Sequence, residues 1–521
     1  MDRKTILAMI LCLTIYVGWQ KFYLEPRIPA SQTQQTAVVH QNDETKLTNS
    51  APTRESRTRT ESNIPAQKVT LPTGTGNAVL SNGGLFFQDW NLKNYKLDIS
   101  SSAPLVDMKS VTHEDGEISL AFEDTDYAYL NDVRGELTST PQGALWKYED
   151  DKVILKREFI ASEQVPYVDL RVSAEFKGKA PRYAFISLGS ENKADDAEAQ
   201  DRQLLYWTNQ SLERVALKDV AQKEVSSSVK YIGASNRYFL MAVVGQSPVE
   251  ASSGLIQPTR PNAGRISMVY PLLGKSMIIP LRVYFGPKEL DILRKVEPTL
   301  DHTIDFGWFT VFAYPLLKVL KWLYQFLQNY GLAIIFLTLL LKIATYPLTY
   351  KSMKSMKNMA KLQPQLQKIR EKYKDDKEAL NREMLTMMRS HGYNPMAGCL
   401  PILIQMPIFF ALYRVLYSSI ELYHAPFTLW IQDLSSRDPF YVTPVLLAIT
   451  MFIQQKLTPN TATDPAQARM MQLMPLIFGA FMLALPSGLT VYMLVNALAS
   501  IVQQMILNKK LDITPAAPAT R

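Results

Sequence analysis

The sequence predicts a multi-domain membrane protein, with an α-helical polytopic membrane core of six spans joined to an all-β domain outside the bilayer. Three observations carry that prediction. Beyond Gly331 the chain holds long apolar segments almost free of charge, each near the roughly 20 residues that a bilayer crossing demands. From about Val69 to Pro298 it shows instead short runs rich in Val, Ile, Tyr and Phe, punctuated by Gly, Pro and Asn, which is how strands and their turns read. Finally, Lys351, Lys354, Lys357, Lys361, Lys368, Arg370, Lys372, Lys374, Lys377, Arg382 and Arg389 all fall between two apolar segments, as the bases of a cytoplasmic loop do.

The bulk numbers agree once they are divided by region. A chain of 521 residues exceeds what one core can hold, and a mean hydropathy of -0.07 averages two unlike halves. The net charge of +8 and pI near 9.1 would suit nucleic acid by their sum. The bases sit beside apolar spans, however, which argues against nucleic acid as a specific ligand. Cys12 and Cys399 are the only cysteines, so there is no disulfide framework.

Residues 6–19 form an apolar run after Arg3 and Lys4 that passes into Trp19, Lys21, Phe22 and Tyr23. Aromatic belt residues stand where a signal peptidase needs small ones, so residues 1–24 read as an uncleaved anchor with its N-terminus inside. Residues 25–68 are rich in Gln, Thr, Ser, Asn and Pro and cannot repay the entropy of ordering, which makes them a disordered linker. Residues 69–300 are the β domain, expected to be a sandwich with strands over 153–160, 167–176, 182–188 and 277–285. Residues 305–328 contain an apolar stretch interrupted by Lys318, Lys321 and Gln325, with Trp308 and Trp322 as interface anchors, predicting a helix lying in the membrane interface.

Spans follow at 331–350, 398–419, 441–457, 470–485 and 489–507, within a core of residues 329–510. Pro486, Ser487 and Gly488 make the last turn, too tight to hold a domain. Counting from an inside N-terminus puts the β domain outside and the Lys-rich loop inside. Lys509, Lys510 and the disordered tail 511–521 also fall inside, and the base-poor 421–440 loop falls outside. Parity and charge asymmetry agree. Between the first two core spans, methionines recur at Met353, Met356 and Met359, then at Met384 and Met387. This pattern predicts a cytoplasmic αα-hairpin over 351–395, whose thioethers zip the two helices or meet apolar clients.

Lys342 lies eleven residues into its span with no acid there. Placing an ammonium at mid-bilayer costs roughly 2.5 to 3.5 kcal/mol on insertion scales, so such a residue is a functional candidate, with snorkelling to the cytoplasmic side as the bland alternative. Thr338, one turn away, and Gln405, on a neighbouring span, would help hydrate it in a cationic groove. No catalytic set is present. There is no phosphate-binding loop, and His40, His113, His302, His391 and His424 have no metal-ligand spacing. The expected mechanism uses no cofactor.

The segment Asn394-Pro395-Met396-Ala397-Gly398-Cys399-Leu400-Pro401 runs into Leu403-Ile404-Gln405-Met406-Pro407-Ile408-Phe409-Phe410-Ala411-Leu412-Tyr413. It is supported by Asp305-Phe306-Gly307-Trp308, Tyr346-Pro347-Leu348-Thr349, Ala425-Pro426-Phe427 and Pro486-Ser487-Gly488-Leu489. In these motifs the chain resembles the YidC family of membrane protein insertases, in its Gram-negative form, over almost its full length. The resemblance implies a five-helix insertase core with a hydrophilic groove open to the cytoplasm, a β-supersandwich periplasmic domain, and no enzyme activity. The implied partners are nascent inner-membrane proteins, the lipid bilayer and the Sec translocon with its accessory subunits. The basic loop and tail are candidate contacts for the ribosome or targeting factors. Carried over by position, the groove charge falls on Lys342, where the family usually has arginine; lysine keeps the charge but loses the bidentate fork. Groove polar positions fall on Thr338 and Gln405, and a client-sliding face on Met406, Phe409, Phe481 and Tyr492, with Met493 where some relatives carry a second tyrosine. The topology alone also admits an anion transporter or channel, and the β domain alone a sugar-processing enzyme. The first would show repeat pairing among its spans, and the second more histidine.

Overall fold

The computed structural model describes residues 65–510 except 85, 113–117, 193–200, 209–210, 374–375, 391–399 and 458–464. The expected anchor, most of the linker, the tail and the Asn394 to Cys399 part of the signature lie outside the described residues. Each predicted strand is present: Val153–Ala161, Tyr167–Phe176, Tyr183–Glu191 and Ser276–Pro287.

Three antiparallel sheets build the β domain. The largest has nine strands, in the spatial order Leu212–Ala216, Gln203–Thr208, Val229–Ser235, Phe239–Gly245, Ser276–Pro287, Tyr167–Phe176, Val153–Ala161, Gly143–Glu149 and Glu136–Thr140. A five-stranded sheet containing Ala263–Pro271 and Tyr183–Glu191 packs against it, and a four-stranded sheet spans Lys68–Thr73 to Leu105–Asp107. Side chains alternate across a strand, and here the two faces enter two different cores. From Phe239–Gly245, Phe239, Met241 and Val243 join the core between the sheets. Leu240, Ala242 and Val244 join a second cluster that continues through Leu290, Leu317, Leu337, Leu412 and Tyr492 of the helical part. One apolar core therefore crosses from the sheet into the helices.

Beyond a short helix, Lys109–Thr112, inside the β domain, the helices of the C-terminal part are α1 (Leu290–Val296), α2 (Thr310–Leu327), α3 (Tyr330–Lys372), α4 (Lys377–Ser390), α5 (Leu400–Ser418), α6 (Val442–Leu457), α7 (Pro465–Met482) and α8 (Ser487–Lys510). α2 buries Ala313, Leu317, Leu320 and Leu323 at helical spacing while Trp308, Val311, Phe312, Trp322 and Phe326 stay exposed. It is followed at once by α3, because Gln328 takes a left-handed conformation at φ 50° and the Asn329 side chain accepts from the Leu332 amide at 3.0 Å, capping the new helix. The apolar span of α3 ends at Lys354, close to the expected residue 350, and the basic stretch continues the same helix. α3 runs on as one helix of 43 residues, since Lys351 to Lys372 contains only one Pro and no Gly to stop it.

The bundle wears its apolar side chains outward. Phe336 and Ile343 of α3, Ile449 and Phe452 of α6, Ile477 and Phe481 of α7, and Val502 and Met505 of α8 are all exposed. In water this would be an aggregation surface, whereas in lipid it is the stable arrangement. Among the described residues, Tyr330–Lys354 and Ser487–Lys510 are long and apolar enough to cross a membrane alone, and Val442–Leu457 and Gln472–Met482 are shorter apolar helices.

Candidate functional site

Two polar stripes meet inside the bundle. On α3, Thr338, Lys342 and Thr345 share one face at helical spacing; on α8, Tyr492, Asn496 and Ser500 recur every fourth residue. Together with Leu341, Gln405 and Ile408, all but Ser500 line one narrow cavity of about 10 Å³, room for about one water molecule. The Lys342 ammonium donates to Ser500 Oγ at 2.7 Å, whose own hydroxyl donates to the Asn496 carbonyl at 2.7 Å. Gln405 Nε2 donates to the Tyr492 hydroxyl at 3.1 Å, and Thr338 returns its hydroxyl to the Ile334 carbonyl at 2.7 Å. Lys342 forms no ion pair among the described residues, and its one side-chain hydrogen bond goes to a neutral hydroxyl.

The structure brings Thr338, Lys342 and Gln405, the expected groove residues, into one cavity together with Tyr492, which the sequence reading had placed on the client-sliding face. It adds Thr345, Asn496 and Ser500, which the sequence reading missed although the Tyr492, Asn496, Ser500 spacing was there to be read. Met406 and Phe481 are not in the cavity: both are exposed, at 44% and 60%. Phe409 is half-buried, packed against the shared core and the Phe410 ring. Of the hairpin methionines, Met353 is buried and Met384 and Met387 are half-buried. The side chains of Met356 and Met359 lie outside the described ones.

At the end of the bundle nearest the β domain, the site is sealed by a stitched loop. The Ser487 and Gly488 amides donate to the Ser436 and Leu434 carbonyls at 2.7 and 2.9 Å, and Ser487 Oγ donates to the Asp433 carbonyl at 2.7 Å. Asp433 is the hub, accepting from Ser435 Oγ and Ser436 Oγ, each at 2.6 Å, and pairing with His424 Nδ1 at 2.9 Å. Burial pushes the Asp433 carboxyl up, but the His424, Ser435 and Ser436 hydrogen bonds outweigh it and hold the pKa down to about 2. Burial likewise opposes charge on His424, and Asp433 reverses it, raising the imidazole above its ordinary value. Asp438 caps α6, accepting from the Thr443 amide and hydroxyl at 2.7 Å each. The β domain is pinned to the same end: Arg237 Nε donates to the Tyr417 carbonyl at 2.6 Å, and the Tyr423 hydroxyl to the Lys96 carbonyl at 2.8 Å.

Comparison with known proteins agrees in both halves. Residues 322–514 match the family model described as 60Kd inner membrane protein, and residues 168–319 match that of the YidC periplasmic domain. The chain is 34% identical over 542 residues to the membrane protein insertase YidC of Geotalea daltonii, covering 98% of this chain and 100% of that one. It is 46% identical over 301 residues to the Geobacter metallireducens protein of the same name, covering 57% and 56%. A solved structure of an active YidC insertase with its first transmembrane domain resolved aligns over 84% of this chain and 92% of that one, at 19% identity and a TM-score of 0.36. With a full-length relative at that identity and both halves matched in order, the chain belongs to the YidC family of membrane protein insertases.

Proposed function

We propose that this chain inserts, folds and helps assemble integral inner-membrane proteins, with or without the Sec translocon, and that Lys342 is the charge that receives the client. The observation that carries this reading is the convergence of Lys342 with Thr338, Gln405, Tyr492 and Asn496 in one cleft, where the ammonium has a hydroxyl partner but no carboxylate. An acidic residue of a short client tail would complete that set. At an effective dielectric near 20, a pair about 4 Å apart is worth roughly 4 kcal/mol, comparable to the cost of carrying one Asp part-way across. Burial of the client's roughly 20 apolar residues in lipid then drives release, so neither nucleotide nor cofactor enters the step.

In this reading six spans cross the inner membrane, five of them forming the core, with both termini and the α3–α4 hairpin in the cytoplasm and the β domain in the periplasm. Met406, Phe409 and Phe481 offer the greasy path along which the client segment slides, with Tyr492 at the groove wall. Met353, Met356, Met359, Met384 and Met387 organise the hairpin, where the basic loop meets ribosome or targeting factor. The β domain is the surface for Sec accessory subunits.

The test is insertion of a single-span client with an acidic tail into proteoliposomes. Lys342→Ala is expected to abolish insertion and Lys342→Arg to retain it; full insertion by the alanine variant would sink the assignment. Selective anion conductance in planar bilayers would favour a channel instead.

A further inference from the structure

A second cleft, which shares no lining residue with the groove, lies at the seam between the β domain and the start of α2. It has a volume of about 490 Å³, and its walls include Trp207 and Arg214 of the hairpin Gln203–Thr208 and Leu212–Ala216, Arg294 of α1, and Tyr314 of α2. Its charges are unevenly committed. Arg294 is paired with Asp301 at 2.8 Å, and Asp305 with Arg414 at 3.4 Å. Arg214 gives one hydrogen bond, to the His302 carbonyl at 2.6 Å, and has no ion pair among the described residues. Behind it, Lys288 is only 5% exposed. Burial first, and then the repulsion of Arg214, push its pKa down to about 8. Arg214 is therefore the lining cation left without an ion pair among the described residues, while the lining carboxylates Asp301 and Asp305 are each matched by another arginine.

The rim identifies the anion. Gly307 and Thr310 line the cleft, and the neighbouring Trp308, Val311 and Phe312 are exposed at 61%, 77% and 54%. An apolar helix face at a cleft mouth marks the depth where acyl chains meet headgroups, and arginine favours phosphate because its planar fork matches the oxygens. A soluble anion would use the cation but leave that apolar rim bare. We propose that this cleft binds the phosphodiester headgroup of a phospholipid from the leaflet facing the β domain, with Arg214 on the phosphate and Trp207 and Tyr314 as side walls. The bound lipid ties the β domain to the membrane surface, independently of whether Lys342 receives clients.

The test uses the full chain in a neutral detergent, titrated with phosphatidylethanolamine and read by native mass spectrometry. Diacylglycerol with the same chains and inorganic phosphate are run beside it. Arg214→Ala is expected to weaken retention of the phospholipid by about tenfold, the loss of a charged hydrogen bond. Arg214→Lys, which keeps the charge but loses the fork, should fall between that variant and the unaltered chain, and the exposed Lys218→Ala should change nothing. A photoreactive residue at Ser211 should form a lipid adduct that is lost in Arg214→Ala. The proposal is overturned if diacylglycerol is retained as well as the phospholipid, or if Arg214→Ala loses no more than Lys218→Ala. Millimolar phosphate displacing the lipid completely would make the cleft a free-anion site, and a Ser211 adduct formed with protein alone would make it a partner interface; either result also overturns it.

Discussion

Arg157 of the β domain and Lys342 of the helical core are both cations drawn away from solvent, and neither forms an ion pair among the described residues. Their surroundings differ. Arg157 is 1% exposed, with its guanidinium sandwiched between the Phe86 and Trp146 rings at 4.4 Å each and one amine donating to the Gly84 carbonyl. Burial pulls its pKa down to about 9. Lys342 instead faces a cleft lined by hydroxyls and amides. The first cation is enclosed by groups that can never leave, and it serves packing. The second is held by one neutral hydroxyl, the arrangement that the proposed exchange with a client carboxylate requires. A buried charge is thus read from what surrounds it and not from its burial alone.

The sharpest way to break this comparison is to reverse the groove charge. Lys342→Glu should lower insertion of the acidic-tailed client by about a thousandfold, given the roughly 4 kcal/mol at stake, while a basic-tailed version of that client recovers; insertion assays in proteoliposomes read both. Next, Arg157→Ala should destabilise the full chain by about 3 kcal/mol, because it empties a packed site and removes two cation–π contacts. Denaturant titration in detergent measures this, and Lys342→Met in the same assay should cost nothing or stabilise, since it removes an incompletely satisfied charge. If Lys342→Met proves as destabilising as Arg157→Ala, the two cations are both structural.

A smaller effect concerns close approach at the start of α3. A Cβ on Gly331 would stand 2.0 Å from the Phe427 ring, so Gly331→Ala should cost about 2 kcal/mol, checked by thermal unfolding. Smallest is the seal formed by His424 and Asp433. His424 has its pKa raised above 6.5 in the fold, so its contribution is complete below 6.5 and fades as pH rises through the folded value. Asp433 is lowered from 3.8 to about 2, so its contribution is complete above 3.8 and fades as pH falls toward 2. Together they stabilise the loop most between about pH 4 and 6.5 and weaken as pH rises through the raised His424 value. Asp433→Asn should flatten that decline in a pH series of melting temperatures.

Most of the fold was legible because its signals are local. Period-two burial marked Tyr167–Phe176, whose Val168, Leu170, Val172, Ala174 and Phe176 are all buried, and helical spacing marked α2. The continuation of α3 beyond residue 350 was less legible, because a change from apolar to basic composition marks a change of solvent and not a change of backbone. The candidate site was half legible. A lysine inside an apolar span stands out against its neighbours, whereas Asn496 and Ser500 are common, neutral residues that a membrane helix tolerates without comment.

By itself the sequence determined which segments are apolar enough to face lipid, which form sheets, and that one cation stands alone in an apolar segment, since hydropathy and periodicity act over a few residues. Only the tertiary structure decided which polar groups meet. Lys342 and Ser500 are 158 residues apart, and Gln405 and Tyr492 are 87 apart. Such pairs are set by how whole helices pack, through an apolar core shared with the β domain. No local pattern encodes that geometry, because it is the sum of many small contacts spread along the chain.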